Sequence, residues 1–281
     1  MLEILNVTNL SKHCCKRKVF DNISFSLEQG EIVGVSGDSG SGKSALLEII
    51  AGYSSQSDGS ITFNGFEVNC DMVDYKAKIG YLPQTEALYN DMMVCSFIFF
   101  VCGLKKVKND VKTHANDILD LLILSEKKDS LIKNLSKDEK KKLGLAAALI
   151  GNPDILVLDE PLAGISAETQ DQIIKVIKEL SKTVIISFNS ASAQNIFEIC
   201  GRIVEMSTLE DLNEDVAPVV IEEAVLAEET EELLEEQANE ILEEAAEVSA
   251  EADELSENQA NEETLEEEVL DDVNKLEGEN E

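Results

Sequence analysis

The chain has 281 residues, with 57 acidic against 23 basic side chains and a formal net charge of −34. The imbalance is local: 30 acidic residues and one basic residue, Lys275, lie between Glu210 and Glu281, leaving 27 against 22 in the first 209 residues. A mildly acidic body of that length has enough apolar residues for a sizeable core, offers no electrostatic footprint for nucleic acid, and carries its acidic excess as an appendage.

Periodicity predicts strands over residues 2–7 and 23–27, then an apolar strand over 32–35 and a helix over 45–50. Between these last two stands Gly37-Asp38-Ser39-Gly40-Ser41-Gly42-Lys43-Ser44, a complete G-x-x-x-x-G-K-[ST] phosphate loop. The chemistry requires those residue types. Glycines let backbone N–H groups wrap the phosphates, Lys43 neutralises the β and γ oxygens, and the Ser44 hydroxyl ligates Mg²⁺ at a helix start. Residues 37–44 and the Ala45 that follows are therefore the expected binding residues for a nucleoside triphosphate.

A hairpin is expected where the strand 60–63 turns at Asn64-Gly65, followed by a strand over 78–82. Two helical patterns, 94–103 and 111–124, make an insertion. Then come a helix over 137–150, a strand over 155–158, a helix over 167–181, a strand over 183–187, a helix near 193–199 and a last strand over 202–206. Strands alternating with helices define an α/β fold with a largely parallel core sheet. From residue 209 to 281 a low-complexity acidic tail is expected. Leu234, Ile241, Ala245, Val248, Ala252 and Leu255 keep helical spacing in it, but glutamate repulsion leaves such a helix weak. The tail reads either as a solvated extension or as a dock for a basic partner.

Six cysteines lack any C-x-x-C spacing and sit in or beside apolar runs, which predicts buried thiols in a reducing compartment. No secretory pattern opens the chain, and the longest apolar run, 92–104, is too short for a bilayer span. Any membrane association is expected to come through a partner.

Ile155-Leu156-Val157-Leu158 ends in Asp159-Glu160, about 115 residues after the phosphate loop, as a strand's carboxyl end in an open α/β sheet would place it. Asp159 suits an outer-sphere Mg²⁺ partner. Glu160 suits a catalytic base that orients or deprotonates an attacking water.

With these residues in order, the first 208 residues resemble the nucleotide-binding subunit of an ATP-binding cassette (ABC) transporter. The resemblance rests on residues 37–44, on Tyr81-Leu82-Pro83-Gln84, on Leu135-Ser136 before a basic helix, and on Leu156 to Pro161 followed by Leu162-Ala163-Gly164. Ile79-Gly80 leading into Tyr81 to Gln84, Ala87-Leu88-Tyr89, the short helical insertion, and Leu135-Ser136-Lys137 running into Leu143-Gly144-Leu145-Ala146 look most like the ABC-2 exporter branch, the multidrug and gliding-motility type.

The resemblance implies a RecA-like P-loop core sheet with an antiparallel β subdomain and a helical subdomain. It implies ATP and Mg²⁺ as ligands, with Ser44, Gln84 and Asp159 at the metal. Two cassettes, alike or different, would close head to tail on two ATP molecules, Ser136 of one reaching the nucleotide of the other. Closure would drive a separate membrane subunit from the cytoplasmic face of the cell membrane. Phe97-Ile98-Phe99-Phe100 then reads either as core of the helical subdomain or as lining of the groove that receives the membrane subunit.

Four departures from the family pattern touch nucleotide handling. The signature reads Leu135-Ser136-Lys137-Asp138-Glu139, without glycines. A carboxylate about 4 Å from a phosphate would cost about 4 kcal/mol at an effective dielectric of about 20. Ser136 and Glu139 also spell a capping box, a purely structural reading of the same residues. Asn189 replaces the switch histidine as a catalytic sensor of the γ-phosphate, donating a hydrogen bond without carrying charge. Ser166 stands where the pattern has Asp, and His13 and Cys14 stand near the usual adenine-stacking aromatic. Two functions remain open on this reading: a working transport ATPase, or a cassette that binds ATP but hydrolyses it poorly as one half of a heterodimer.

Overall fold

The computed structural model describes residues 3–14, 17–108, 110–180, 182–189, 194–206 and 220–222. The expected helical tail lies almost wholly outside the described residues.

The chain begins with two long antiparallel strands, β1 (Glu3–Cys14) and β2 (Arg17–Glu28), paired from Glu3↔Glu28 to Cys14↔Arg17. Both outrun the sequence reading, because register shifts carry the pairing past polar Thr8 and Asn9. Asn9 and Asn22 take the positive φ that asparagine tolerates. The hairpin of β4 (Asp58–Phe63) and β5 (Phe66–Val68) turns at Asn64 and Gly65, with φ 50° and 80°, as its sequence predicts. These strands form an antiparallel sheet in the order β2-β1-β4-β5.

A second sheet has the order β10-β9-β3-β8-β7-β6, with β3 (Ile32–Ser36), β6 (Ile79–Leu82), β7 (Ile155–Leu158), β8 (Thr183–Phe188) and β9 (Arg202–Glu205) parallel. Every residue of β7 and β8 is buried, as a sheet covered on both faces requires. β10 (Val220–Glu222) adds antiparallel to β9, so the sheet draws three residues from beyond the expected boundary at 208.

Helix α1 (Lys43–Ile50) follows β3. The short α2 (Val73–Lys78) escaped the sequence reading, which gave Lys78 to the next strand. It is anchored by Tyr75, buried with its hydroxyl donating to the Ile50 carbonyl. In the insertion, α3 spans Val94–Leu104 and α4 spans Val111–Leu121. α4 stops three residues short of expectation because Ile123 turns left-handed, at φ 57°. Helices α5 (Lys137–Leu149), α6 (Ala167–Leu180) and α7 (Gln194–Phe197) complete the body.

Of the described cysteines only Cys102 and Cys200 are buried, burial pushing the Cys200 thiol up to about 12. Cys14 is exposed, which corrects the expectation of uniformly buried thiols. Phe97 and Ile98 are core, whereas Phe99 and Phe100 stay more than 40% exposed, so that run divides between its two readings. Among the described residues no helix is long and apolar enough to cross a membrane.

Candidate functional site

The carboxyl ends of four parallel strands converge on one edge of the second sheet. Gly37 follows β3, Asn189 follows β8, Asp159 and Glu160 follow β7, and Pro83-Gln84 follow β6. β8 lies between β3 and β7, so Asn189 leaves the sheet between the phosphate loop and the acidic pair.

The loop 37–42 is shaped by close approach. A Cβ at Gly37 would collide with the Met206 carbonyl oxygen at 2.5 Å and with Ser41 Oγ at 2.7 Å. Gly42, at φ 95°, is the N-cap of α1 and gives that helix no side-chain cap. The first N–H groups of α1 are therefore left for an outside acceptor. Lys43 is buried, its ammonium turned back onto the carbonyls of Gly37 and Asp38, the latter at 2.8 Å. Ser41 Oγ is the one side-chain polar atom, among the described residues, that is buried without a hydrogen-bond partner.

On β7, Asp159 is 1% exposed, and its Oδ1 accepts from the Ser187 hydroxyl at 2.6 Å. The same Ser187 oxygen accepts the Glu160 N–H at 2.9 Å. Glu160 sits at φ 45°, a strained conformation for a side-chain-bearing residue, held where the chain over-determines it. Gln84 Nε2 donates to Glu160 Oε2 at 2.8 Å, so the two loops predicted to share the reaction are in contact. Tyr81, near this edge, has its hydroxyl pushed up by burial and, less, by the charges of Asp159 and Glu48.

Sequence reasoning missed Ser187. A hydroxyl following the apolar run Val184-Ile185-Ile186 was its only signal, and that run reads as a plain buried strand.

The start of α5 is different. Ser136 Oγ accepts the Glu139 N–H at 3.1 Å while Glu139 Oε2 accepts the Ser136 N–H at 2.8 Å, a complete capping box. Asp138 does not stand open toward a neighbouring phosphate. Its Oδ2 accepts from Ser166 N at 3.2 Å, from the Ser166 hydroxyl and from Thr169 Oγ1 at 2.9 Å, and these bonds, led by the Ser166 hydroxyl, hold its carboxyl below the usual range. Two departures from the family pattern, Asp138 and Ser166, are thus partners of one another. Lys137 lies against Gly164, where its ammonium fills the space a Cβ would need.

The third region concerns the base. β2 touches the phosphate loop through Val19 and Phe20, which lie against Gly42. His13 pairs with Lys18, next to Val19, and Cys14 with Arg17 at the end of the strand pair, and neither side chain carries a six-membered aromatic ring.

An orphaned buried hydroxyl, an uncapped helix start and a buried lysine fit a bound polyphosphate, and the Ser44 hydroxyl with the Asp159 carboxylate fits a hard cation beside it. The fold and this edge define a P-loop nucleotide-binding domain.

A family model described as ABC transporter matches residues 20–163. The linearmycin resistance ATP-binding protein of Bacillus subtilis is 30% identical over 204 residues, covering 71% of this chain and 65% of that protein. An uncharacterised ABC transporter ATP-binding protein of Methanocaldococcus jannaschii is 35% identical over 204 residues, covering 71% and 72%. The sulfate/thiosulfate import ATP-binding protein of Pectobacterium atrosepticum is 30% identical over 210 residues, covering 72% and 63%. A dimeric bacterial ABC transporter cassette shares the fold with a TM-score of 0.66 at 22% identity, over 73% of this chain and 94% of that one. The chain belongs to the ABC transporter family, and its body is that family's ATP-binding cassette.

Proposed function

We propose that the chain is the ATP-hydrolysing subunit of an ABC exporter, acting with a separate membrane subunit at the cytoplasmic face of the cell membrane. The observation that carries this reading is the Gln84 amide on the Glu160 carboxylate at 2.8 Å, beside a buried Asp159. It ties the loop leading into the helical insertion to the expected catalytic base.

In this reading residues 37–45 hold the triphosphate. Ser44, Gln84 and Asp159 would hold Mg²⁺, which would supply charge neutralisation at the phosphates. Glu160 orients the attacking water and accepts its proton, while Asn189 donates a hydrogen bond toward the γ-phosphate. Ser136 serves the nucleotide of a second cassette, and to reach it must share or yield its cap on α5.

Relatives with import names and a resistance ATP-binding protein both resemble this chain. Export is inferred from the ABC-2-like residues 79–89 and 143–146. The membrane subunit is assigned to the outer side of α3, where Tyr89, Met93, Phe99, Phe100 and Leu104 are all more than 40% exposed. Apart from β10, which joins the sheet, residues 209–281 are taken as an acidic accessory segment outside the ATP chemistry.

Asn189 favours the second reading, an attenuated cassette that binds ATP as one half of a heterodimer. Steady-state hydrolysis by the full chain at saturating Mg-ATP, compared with Glu160→Gln, separates the two. Turnover lost by 10²-fold or more in the variant supports the proposal. Saturable ATP binding with no Glu160-dependent turnover overturns it in favour of the second reading.

A further inference from the structure

Lys141, in the second turn of α5, is 3% exposed, and the nucleotide chemistry described above makes no use of it. Burying an ammonium is costly unless its protons are matched. Here two partners match it, both on the loop after β6. Nζ lies 2.6 Å from Glu86 Oε1 and donates to the Gln84 carbonyl oxygen at 3.0 Å. One turn further along α5, a Cβ at Gly144 would meet Leu82 Cδ1 at 2.8 Å and Glu86 Cγ at 2.9 Å, so the helix is seated directly on this loop.

The residue whose carbonyl Lys141 holds is the one whose side chain reaches Glu160. The loop is held on both sides of that side chain. The Leu82 carbonyl accepts from Asp159 N–H at 2.9 Å, the Pro83 ring locks its own φ, and Lys141 holds the carbonyl of Gln84 and the carboxylate of Glu86. With its carbonyl held, Gln84 aims its amide at Glu160 through its side-chain rotamer.

We propose that Lys141 is a positioning residue for ATP hydrolysis: from α5 it sets the Gln84 loop so that the Gln84 amide addresses Glu160. The proposal rests on the hydrolysis reading above. It makes α5 the link between the signature residues at its start and the base on β7. A simple ion pair at a helix–loop contact would stabilise the fold but would not select Gln84.

The full chain is compared as wild type, Lys141→Arg, Lys141→Met and the double variant Lys141→Met/Glu86→Leu. The double variant removes both charges together and so avoids a buried unpaired carboxylate. Two readouts are taken: kcat with ATP affinity, and the side-chain amide resonance of Gln84 in glutamine-labelled protein, assigned by its loss in Gln84→Ala. Lys141→Met and the double variant are expected to lower kcat about tenfold with ATP affinity unchanged, as loss of an orienting partner does. Both are expected to move the Gln84 resonance, with Lys141→Arg close to wild type in both readouts. Wild-type kcat and an unmoved Gln84 resonance in a folded double variant would overturn the proposal. A wild-type chain that turns over no ATP removes the hydrolysis reading alone; the positioning of Gln84 then stands if its resonance moves and falls if it does not.

Discussion

Two helices of this cassette begin at places that the family uses for phosphate, and their starts are built in opposite ways. Helix α1 starts at Gly42 with no side-chain cap, beside a buried Ser41 hydroxyl without a partner and a Lys43 that has only loop carbonyls to hold. Helix α5 starts at Ser136 with its own acid in place, Glu139 closing the capping box and Asp138 bonded across to Ser166 and Thr169. The first start leaves the Ser41 hydroxyl without a protein partner and has no side-chain cap, whereas the second satisfies its own groups. We therefore propose that nucleotide affinity of a single chain resides at α1. The α5 start contributes only when a second cassette offers contacts worth more than the caps it already has.

The largest break in this comparison is expected at Lys43. Lys43→Ala removes the buried charge that the phosphates need and should weaken ATP binding by about a hundredfold or more, read by equilibrium titration. Binding within a few fold of wild type would move the anion site away from α1.

Ser136→Ala is its counterpart, and smaller. Loss of the cap costs about 1 kcal/mol and lowers the thermal midpoint by about 2–4 °C, while ATP affinity of the single chain stays unchanged. A stable variant with weakened binding would show that α5 already serves nucleotide in the same chain.

The smallest effect concerns Asp138, whose carboxyl is held low mainly by the Ser166 hydroxyl. A carboxylate with a depressed folded pKa contributes stability above its unfolded value, near 3.8, and loses it as the pH falls through the lower folded value. Asp138→Asn should therefore be slightly less stable than wild type at pH 7. The gap should close below about pH 3.8 in midpoints measured against pH. A gap independent of pH would assign the difference to packing.

The phosphate loop, Asp159 and Glu160 were legible in the sequence because their chemistry is fixed by contiguous residues at one strand end. Most strands of the parallel sheet were legible for a related reason, since strands buried on both faces are uniformly apolar. The long β1 and β2 were not, because bulges at Asn9 and Asn22 interrupt the period-2 pattern while pairing continues. The meaning of Asp138 was also hidden: residue 138 meets residue 166 only through the packing of α5 on the start of α6. Ser187 and Lys141 were missed for the same reason, each joining segments far apart in the chain. Contacts that cross between elements carry no local signal, and in this cassette they decide whether a departure from the family pattern is a defect or half of a pair.

The most direct measurement is an NMR titration of the full chain with Mg-ATP at concentrations where it stays monomeric, following backbone amides at both helix starts. Large shifts at residues 40–45, with residues 136–139 unmoved, are the predicted result. Shifts at 136–139 as large as those at 40–45 would contradict the division of labour between α1 and α5.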